Sequence, residues 1–216
     1  MARARKAARR TAGRGNASPR TAGRKPASGK RRATSRARAG ERNDAQERAP
    51  AGRGGADAIQ ALRRQHDETR KLFQDLAVAQ GDARRTTFLR LADALAAHAT
   101  VEERLLYPEL SRLGETGDLA RDAVEEHLVM KRLLADMLET RLSDEVFDAK
   151  CRVLEDEVTR HVEDEEAILL PLAQRLVGRR RMAELGAEIE RTFGELMQHE
   201  PRRTLHREAE GASVLH

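Results

Sequence analysis

The chain carries two near copies of one short stretch, HATVEERLLYP (residues 98–108) and HVEDEEAILLP (residues 161–171). Each copy has a histidine, a glutamate four residues later, an aliphatic run, and a proline ten residues after the histidine. Residues four apart lie on one face of an α-helix, about 6 Å apart along its axis. Each copy therefore offers an imidazole and a carboxylate to one point in space, as a metal ion bound to a helix requires.

A second repeat precedes each of these stretches. HDETRKLFQDL (residues 66–76) aligns with HLVMKRLLADM (residues 127–137). The chain is therefore predicted to contain two tandem helical hairpins. Each hairpin has one histidine on its first helix and the His-x-x-x-Glu pair on its second.

Apolar residues recur with the 3.6-residue period of an amphipathic helix from residue 57 onward. Together with glycine stops and N-cap signals, this pattern predicts helices over residues 57–80, 83–113, 119–142, 145–176 and 180–198. The inward faces are predicted to include Leu105 on the second helix, Val124 on the third and Ile168 on the fourth. Pro108 and Pro171 are expected to kink or locally unwind the second and fourth helices.

The predicted fold class is all-α, an up-down-up-down four-helix bundle built from the two tandem hairpins. It has an extra C-terminal helix and a disordered basic N-terminal tail. The predicted boundaries are residues 1–56 for the tail, 57–177 for the bundle, and 178–216 for an amphipathic helix with a polar C-terminal stretch. That last stretch, from about residue 200, is expected to be frayed.

The turn signals and the histidines agree on how the helices fold together. Opposing His66 to His98 puts a turn at residues 81–82, where a glycine precedes an N-capping aspartate. Opposing the two histidines of the second hairpin puts a turn at residues 143–144, another N-cap signal. A bundle in this register brings six side chains to one level of its core: His66, His98, Glu102, His127, His161 and Glu165.

This set of side chains favours a metal site over a structural core. A lone histidine on an apolar helix face is more often a hydrogen-bonded core residue, but here four share one depth with two carboxylates. Buried carboxylates without partners are costly and repel each other, so cations would stabilise such a core. Six ligands exceed the four of a typical zinc site and can hold two ions with bridging carboxylates. Imidazole and carboxylate suit iron, with manganese or zinc less favoured.

The net charge of +5 hides two segments of opposite sign. Residues 1–56 carry 17 basic and three acidic side chains, a net +14, whereas the remainder carries 24 basic and 33 acidic, a net −9. The first segment has no periodic apolar face and is predicted to be disordered. A tail of this charge can bind nucleic acid without sequence preference. The alternatives are a solvated tail without a partner and, less favoured, a cleaved targeting peptide.

Cysteine content and hydropathy limit the location. Cys151 is the only cysteine of the chain, which excludes an intrachain disulfide and favours a reducing, cytoplasmic compartment, with nucleoid association as a variant. Cys151 is expected to be a small, partly buried apolar residue. The sequence has no apolar run of the roughly 18 residues that a membrane span needs, so no membrane partner is expected.

The ordered set of one histidine, His-x-x-x-Glu, one histidine and His-x-x-x-Glu resembles the hemerythrin-like HHE cation-binding domain family over residues 57–176. The resemblance implies a four-helix bundle around a non-haem di-iron centre. It implies chemistry with O2, NO or peroxide, or iron sensing or storage. By the same resemblance the four histidines would be terminal ligands, and Glu102 and Glu165 the bridging carboxylates.

The chain departs from the oxygen-carrying members of that family at two places. Lys131 stands where they have a second third-helix histidine, and Glu166 stands where they have an aspartate, five residues after the last histidine. Glu165, four residues after that histidine, is preferred to Glu166 as the ligand because it mirrors Glu102. A protein that senses, stores or reacts is therefore favoured over one that carries O2. The alternatives are a di-iron peroxidase or oxidase and a nucleic-acid-associated protein anchored by the tail, so whether it is an enzyme stays open.

Other polar residues near the motifs are predicted to supply no metal ligand. Tyr107 is predicted to be a packing residue, since it lies about half a turn away from the face of His98. Glu103 and Glu166 are predicted to be solvated or to contact ligands from outside the site. Lys131 is expected to extend into solvent, and the less favoured alternative is that it reaches the site from outside the ligand set. His199, His206 and His216 are expected to be surface residues.

Overall fold

The structure is a computed structural model of the chain, and it describes residues 57–114 and 116–211. The predicted disordered tail, residues 1–56, and His216 lie outside this part of the chain. Within it, secondary structure is entirely helical and contains no strand. None of these helices is long and apolar enough to cross a membrane.

The helices follow one another with short connections. They are α1 (Ala58–Val78), α2 (Gly81–Val101), α3 (Tyr107–Ser111), α4 (Gly117–Glu139), α5 (Glu145–Asp164), α6 (Leu170–Val177), α7 (Arg179–Met197) and α8 (Leu205–Gly211). A π-helical turn, Glu102–Leu106, joins α2 to α3, and a second one, Glu165–Leu169, joins α5 to α6. A 3₁₀ turn, Pro201–Thr204, precedes α8.

Local chemistry explains the first two helix boundaries. Asp57 caps α1, because its carboxylate accepts a hydrogen bond from the Gln60 backbone N–H at 3.0 Å. The turn into α2 passes through Gly81 at φ +56°, a left-handed conformation that glycine adopts without steric cost. The glycine predicted to stop the first helix therefore opens the second one.

The two prolines act where they were expected to, and their effect is a π-helical turn. Pro108 and Pro171 each lie just after such a turn, and each lacks the N–H that would continue the α-helical pattern. The backbone N–H of Tyr107 bonds instead to the carbonyl of Glu102, five residues earlier. Leu170 makes the same bond to Glu165. The two copies of the repeated sequence therefore contain the same π-helical turn.

Each π-helical turn shifts the buried face by one residue. The prediction that Ile168 faces inward was wrong, since it is 47% exposed, and the prediction for Leu105 holds only in part, since it is partly buried against the second cluster. Leu106 and Leu169 are buried in their place. A π-helical turn holds about one residue more than an α-helical turn, which rotates everything after it.

The prediction for the third helix also fails at one position. Val124 is 38% exposed and its neighbour Ala123 is buried. Ala123 occupies the core position that the sequence pattern assigned to Val124. The apolar stripe of α4 is therefore narrower than the sequence pattern indicated.

Two apolar clusters form the core. The first cluster includes Phe73, Phe88, Leu134, Phe147 and Leu154. The second cluster includes Leu62, Leu106, Leu110, Leu170 and Leu185. Helix α1 packs on α2, and α4 packs on α5, while α7 lies against α1 and α2.

The C-terminal stretch is ordered up to residue 211, and the expectation that it is frayed was wrong for residues 201–211. Leu205 is fully buried in the first cluster. The backbone N–H of Arg202 donates to Asp93 on α2 at 3.1 Å, and its guanidinium pairs with the same carboxylate. Helix α8 packs on α4. Leu205, the Asp93–Arg202 pair and further ion pairs of α8 with α4 hold this segment, and such scattered contacts leave no periodic apolar pattern in the sequence.

Candidate metal centre

A polar layer separates the two apolar clusters. On each of α1, α2 and α4 a histidine stands in the sequence between residues of one cluster and residues of the other, and on α5 His161 lies near the end of the first cluster, before Leu169 of the second. The six side chains selected from the sequence lie together in this layer, and none is more than 5% exposed: His66, His98, Glu102, His127, His161 and Glu165.

The Nε2 atoms of the histidines point at the carboxylates and at each other. Oε2 of Glu102 lies 3.2 Å from Nε2 of His98 and 3.2 Å from Nε2 of His127. Nε2 of His127 lies 3.1 Å from Nε2 of His161. On the other side, Oε2 of Glu165 lies 3.5 Å from Nε2 of His66. Donor atoms thus converge from four helices.

The converging atoms form two overlapping groups. His98, Glu102, His127 and His161 make one group, in which the ligand atoms lie within 4.8 Å of one another. His66, His98, Glu102 and Glu165 make the other at the same spacing. His98 and Glu102 belong to both, so the arrangement can hold two cations that share ligands.

A hydrogen bond on Nδ1 fixes the orientation of every one of these rings. Nδ1 of His66 lies 2.9 Å from Glu166, that of His127 lies 3.0 Å from Glu103, and that of His161 lies 2.9 Å from Glu126. His98 differs, because its Nδ1 lies 3.0 Å from the amide oxygen of Gln65. An acceptor on Nδ1 keeps the proton there and leaves Nε2 free to bind a cation, the arrangement usual for metal-binding histidines.

Four atoms of the layer are buried without a hydrogen-bond partner: Nε2 of His66, Nε2 of His98, Oε1 of Glu102 and Oε2 of Glu165. Burying such atoms without a partner is costly, and most buried polar atoms in proteins have one. All four belong to residues of the two ligand groups, and all four can offer a lone pair to a cation. The residues present therefore fit a bound metal ion, which would satisfy these atoms together.

The charges of the layer are unbalanced without a cation. Burial, together with the nearby carboxylate of Glu165, raises the pKa of Glu102 well above its usual value. Burial opposes ionisation of Glu165 as well, but the close approach of His66 at 3.5 Å and the charge of His161 outweigh it and lower its pKa. Burial and the neighbouring His66 hold the pKa of His98 well below 6.5. One of the two carboxyl groups thus keeps a proton that a cation would displace.

Tyr107 belongs to the site, and the prediction that it is a packing residue was wrong. Its hydroxyl lies 3.1 Å from Oε2 of Glu102, 3.1 Å from Oε1 of Glu165 and 3.4 Å from Nε2 of His127. Burial and the two carboxylates raise the pKa of Tyr107 well above 10. Its counterpart in the second repeat is Leu170, so the phenol makes the site asymmetric.

Glu103 and Glu166 bond to Nδ1 of His127 and Nδ1 of His66 from outside the site. This is one of the two roles predicted for them; the other was exposure to solvent. The expectation that Lys131 extends into solvent was wrong, since it is only 7% exposed. Its ammonium donates to both carboxylate oxygens of Glu103, at 2.9 and 2.8 Å. The partner is contributed by another helix, which the sequence pattern did not reveal.

The remaining histidines agree with the sequence interpretation where they are described. His199 and His206 are exposed, and His206 pairs with Glu139 at 3.2 Å. Neither comes near the polar layer. Cys151 is partly buried, as expected.

Known proteins are similar to this chain at the level of family and fold. The family model described as hemerythrin HHE cation binding domain matches residues 57–173. The crystal structure of a hemerythrin HHE cation binding domain-containing protein from Mycobacterium kansasii superposes with a TM-score of 0.62 at 20% identity. That alignment covers 71% of this chain and 99% of the other. No protein with curated annotation matches the sequence.

Proposed function

Because the chain belongs to the hemerythrin HHE cation-binding domain family, we propose that its polar layer is a non-haem di-iron centre. The family resemblance stated from the sequence is confirmed. The proposed ligands are His66, His98, Glu102, His127, His161 and Glu165. In this proposal α1, α2, α4 and α5 form the four-helix bundle that frames the centre.

The observation that carries the proposal is the set of four buried, unpartnered donor atoms facing one another. Two overlapping ligand groups support two ions, with Glu102 shared between them. Nδ1 of each histidine is already engaged, so Nε2 is the atom left for the metal. Such ready-made ring positions lower the cost of assembling the site when metal binds.

Iron is the preferred metal because the donors are imidazoles and carboxylates without a thiolate, and manganese or zinc remains less favoured. A bound iron pair would supply reversible electron transfer to a small ligand such as O2, NO or peroxide. The chain's own residues would limit what reaches it, because only small molecules fit beside the buried histidines. Tyr107 holds a proton between the two carboxylates and can donate it within the site.

A role in sensing, storage or reaction is favoured over carriage of O2. Lys131 stands where the oxygen carriers of the family have another histidine. Its ammonium is engaged by Glu103 and Glu208, so it supplies no ligand atom to the layer. One position in the coordination of a metal ion would thus be left to an exogenous ligand.

Metal content tests the proposal. Protein loaded with Fe(II) without air and then desalted is expected to retain about two irons per chain and to develop a visible absorption band in air. Glu102→Ala and Glu165→Ala should retain less, whereas Glu125→Ala, at an exposed position of α4, should match the unchanged protein. No iron retained above that of an unrelated helical protein would refute the proposal.

An enzyme that reduces peroxide is the alternative for the same centre, and the Tyr107 hydroxyl between two carboxylates favours it. Peroxide decay above that of free iron, lost in Glu102→Ala, would support turnover. Decay that is unchanged in this variant would assign it to loose iron. The enzyme and the sensing or storage protein would use the same metal site. They differ in whether the bound small molecule is converted or only held.

Association with nucleic acid is a separate proposal that rests on the charge of residues 1–56. Their net charge of +14 suits counterion release from a polyanion. A cytoplasmic location at the nucleoid is part of this proposal. DNA binding should weaken steeply with salt and disappear when residues 1–56 are removed, and equal binding by the truncated protein would exclude the tail.

A further inference from the structure

Lys131 stands between a small enclosed cavity and an open surface cleft. The cavity holds about 10 Å³, enough for one water-sized molecule, and the rings of all four layer histidines line it. Apolar side chains such as Leu95, Met130 and Val158 form the rest of its wall. Lys131 lines the cavity on one side and the cleft on the other.

The cleft has a different character. It encloses about 460 Å³ and is bordered by charged side chains, among them Glu103, Arg104, Glu125 and Glu208. The charged side chains of the cleft favour contact with water, whereas the wall of the cavity is almost wholly apolar apart from the histidine rings. A molecule that passes from the cleft to the histidines by this path must displace the side chain of Lys131.

Three contacts hold the Lys131 ammonium. It donates to both oxygens of Glu103 and lies 3.2 Å from Oε2 of Glu208. An ammonium has three N–H donors, so these three oxygens can satisfy it completely. The methylene stem can then cover the apolar cavity while the charged end stays with the carboxylates.

Through the contact with Glu208, helix α8 helps to hold Lys131 closed between the cavity and the cleft. Helix α8 packs on α4, and Leu205 fixes its start in the first apolar cluster. The Thr204 hydroxyl donates to Oε1 of Glu208 at 2.6 Å, which orients the carboxylate toward Lys131. Glu103 meanwhile bonds Nδ1 of His127, so the same lysine sits one contact away from a proposed ligand.

We propose that Lys131 is the residue that controls access of small molecules to the histidine layer, and that Glu208 of α8 holds it closed. The identity of the molecules rests on the proposed metal centre, but the closure itself involves only groups of this chain. Weakening the contacts that hold Lys131 should raise the rates at which small molecules enter and leave the histidine layer. It should not change how tightly a molecule is held once inside.

Azide serves as the probe for the iron-loaded protein. In Glu208→Gln and in Lys131→Ala, the association and dissociation rates of azide should both rise about tenfold, roughly the effect of losing one charge-assisted hydrogen bond. The azide affinity and the absorption spectrum should stay unchanged. Glu210→Gln, at an exposed position of the same helix, is the matched control and should leave both rates unaltered.

A change in affinity or spectrum without a change in rates would overturn the proposal, because it would mean that Lys131 acts through Glu103 on His127. Unchanged rates in both variants would overturn it as well. Circular dichroism and urea unfolding establish that each variant is folded.

A second measurement needs no metal. Deuterium exchange at Cε1 of His98 in the metal-free protein, followed by mass spectrometry, reports access of water to the layer. Faster exchange in Glu208→Gln than in Glu210→Gln supports the closure, and equal rates in the two refute it. If the protein retains no iron, the proposed function fails, and this measurement still decides the closure.

Discussion

The hydroxyl oxygen of Tyr107 lies 3.1 Å from Oε2 of Glu102, although the two residues are only five apart in one helical segment. In an α-helix, residues five apart point about 140° away from each other. The π-helical turn Glu102–Leu106 adds a residue to the turn between them and brings both side chains to one side. A backbone irregularity thus adds a phenol to the proposed metal centre.

Tyr107→Phe should lower the stability of the metal-free protein by about 1–2 kcal/mol, because two buried carboxyl groups lose a donor. The loss should shrink in the iron-loaded protein, where cations would neutralise the same groups. Urea unfolding of both forms measures the difference. Thr86→Ala, which removes an exposed hydroxyl from α2, is the control. An equal loss in both forms would show that the hydroxyl only packs.

The second π-helical turn makes a sharp prediction about two neighbouring residues. Leu169→Ala should destabilise the protein by about 2–5 kcal/mol, since Leu169 is buried in the second cluster. Ile168→Ala should cost under about 1 kcal/mol, because this side chain is 47% exposed. A regular α-helix predicts the opposite order. Thermal or urea unfolding of the two variants decides between these backbones.

These two turns mark how far the sequence could predict the fold and the site. The helical period and the turn residues were enough to place five helices and to bring His66, His98 and their four partners together. The π-helical shift could not be predicted from hydrophobicity, because Leu105 and Leu106 are both leucine and Ile168 and Leu169 are both aliphatic. The prolines were the only local sign of it.

Contacts between distant parts of the chain were the other gap. Lys131 reads as a surface residue from its position in α4, and its partners Glu103 and Glu208 belong to other helices. Leu205 is a single apolar residue in a polar stretch, so no periodic pattern announces its burial. Such contacts depend on tertiary packing, which helical periodicity does not report.

The buried carboxyl group of Glu102 should oppose folding when no metal is bound. Glu102→Gln keeps the shape of the side chain and removes the group whose ionisation burial and Glu165 disfavour. Because the pKa of Glu102 is raised in the folded protein, this group opposes folding once the pH exceeds the pKa that it has in the unfolded chain, so at neutral pH the variant should be more stable than the unchanged metal-free protein. It should also retain less iron. Glu125→Gln is the control, and a less stable Glu102→Gln would contradict the electrostatic argument.

The lone thiol should be nearly inert in the folded protein. Burial, with Glu155 nearby, raises the pKa of Cys151 from 9 to about 11. At about pH 8 the folded protein should therefore react with a disulfide reagent about 100-fold more slowly than the unfolded chain, because the thiolate is the nucleophile. The unfolded thiol loses its proton first, so its contribution to stability is present below about pH 9 and lost as pH rises toward 11.

Reaction rates in native buffer and in denaturing urea give the comparison, with Cys151→Ser as the blank. Equal rates in the two solutions would mean that the thiol is not shielded. The pH dependence of urea unfolding between about 9 and 11, compared with that of Cys151→Ser, checks the sign of the linkage.

The Asp93–Arg202 contact should decide whether residues 201–211 stay docked. Both side chains are largely buried, at 10% and 14% exposure, and Asp93 accepts hydrogen bonds from the backbone and the guanidinium of Arg202, which keeps Glu200 as its other partner. Asp93→Ala should therefore cost about 2 kcal/mol, the range of a hydrogen bond to a charged group. It should also release the segment for trypsin cleavage at Arg203 and Arg207. Asp156→Ala, at an exposed position of α5, should change neither property. A destabilised Asp93→Ala that still resists cleavage would show that Leu205 and the ion pairs with α4 hold α8 in place without Asp93.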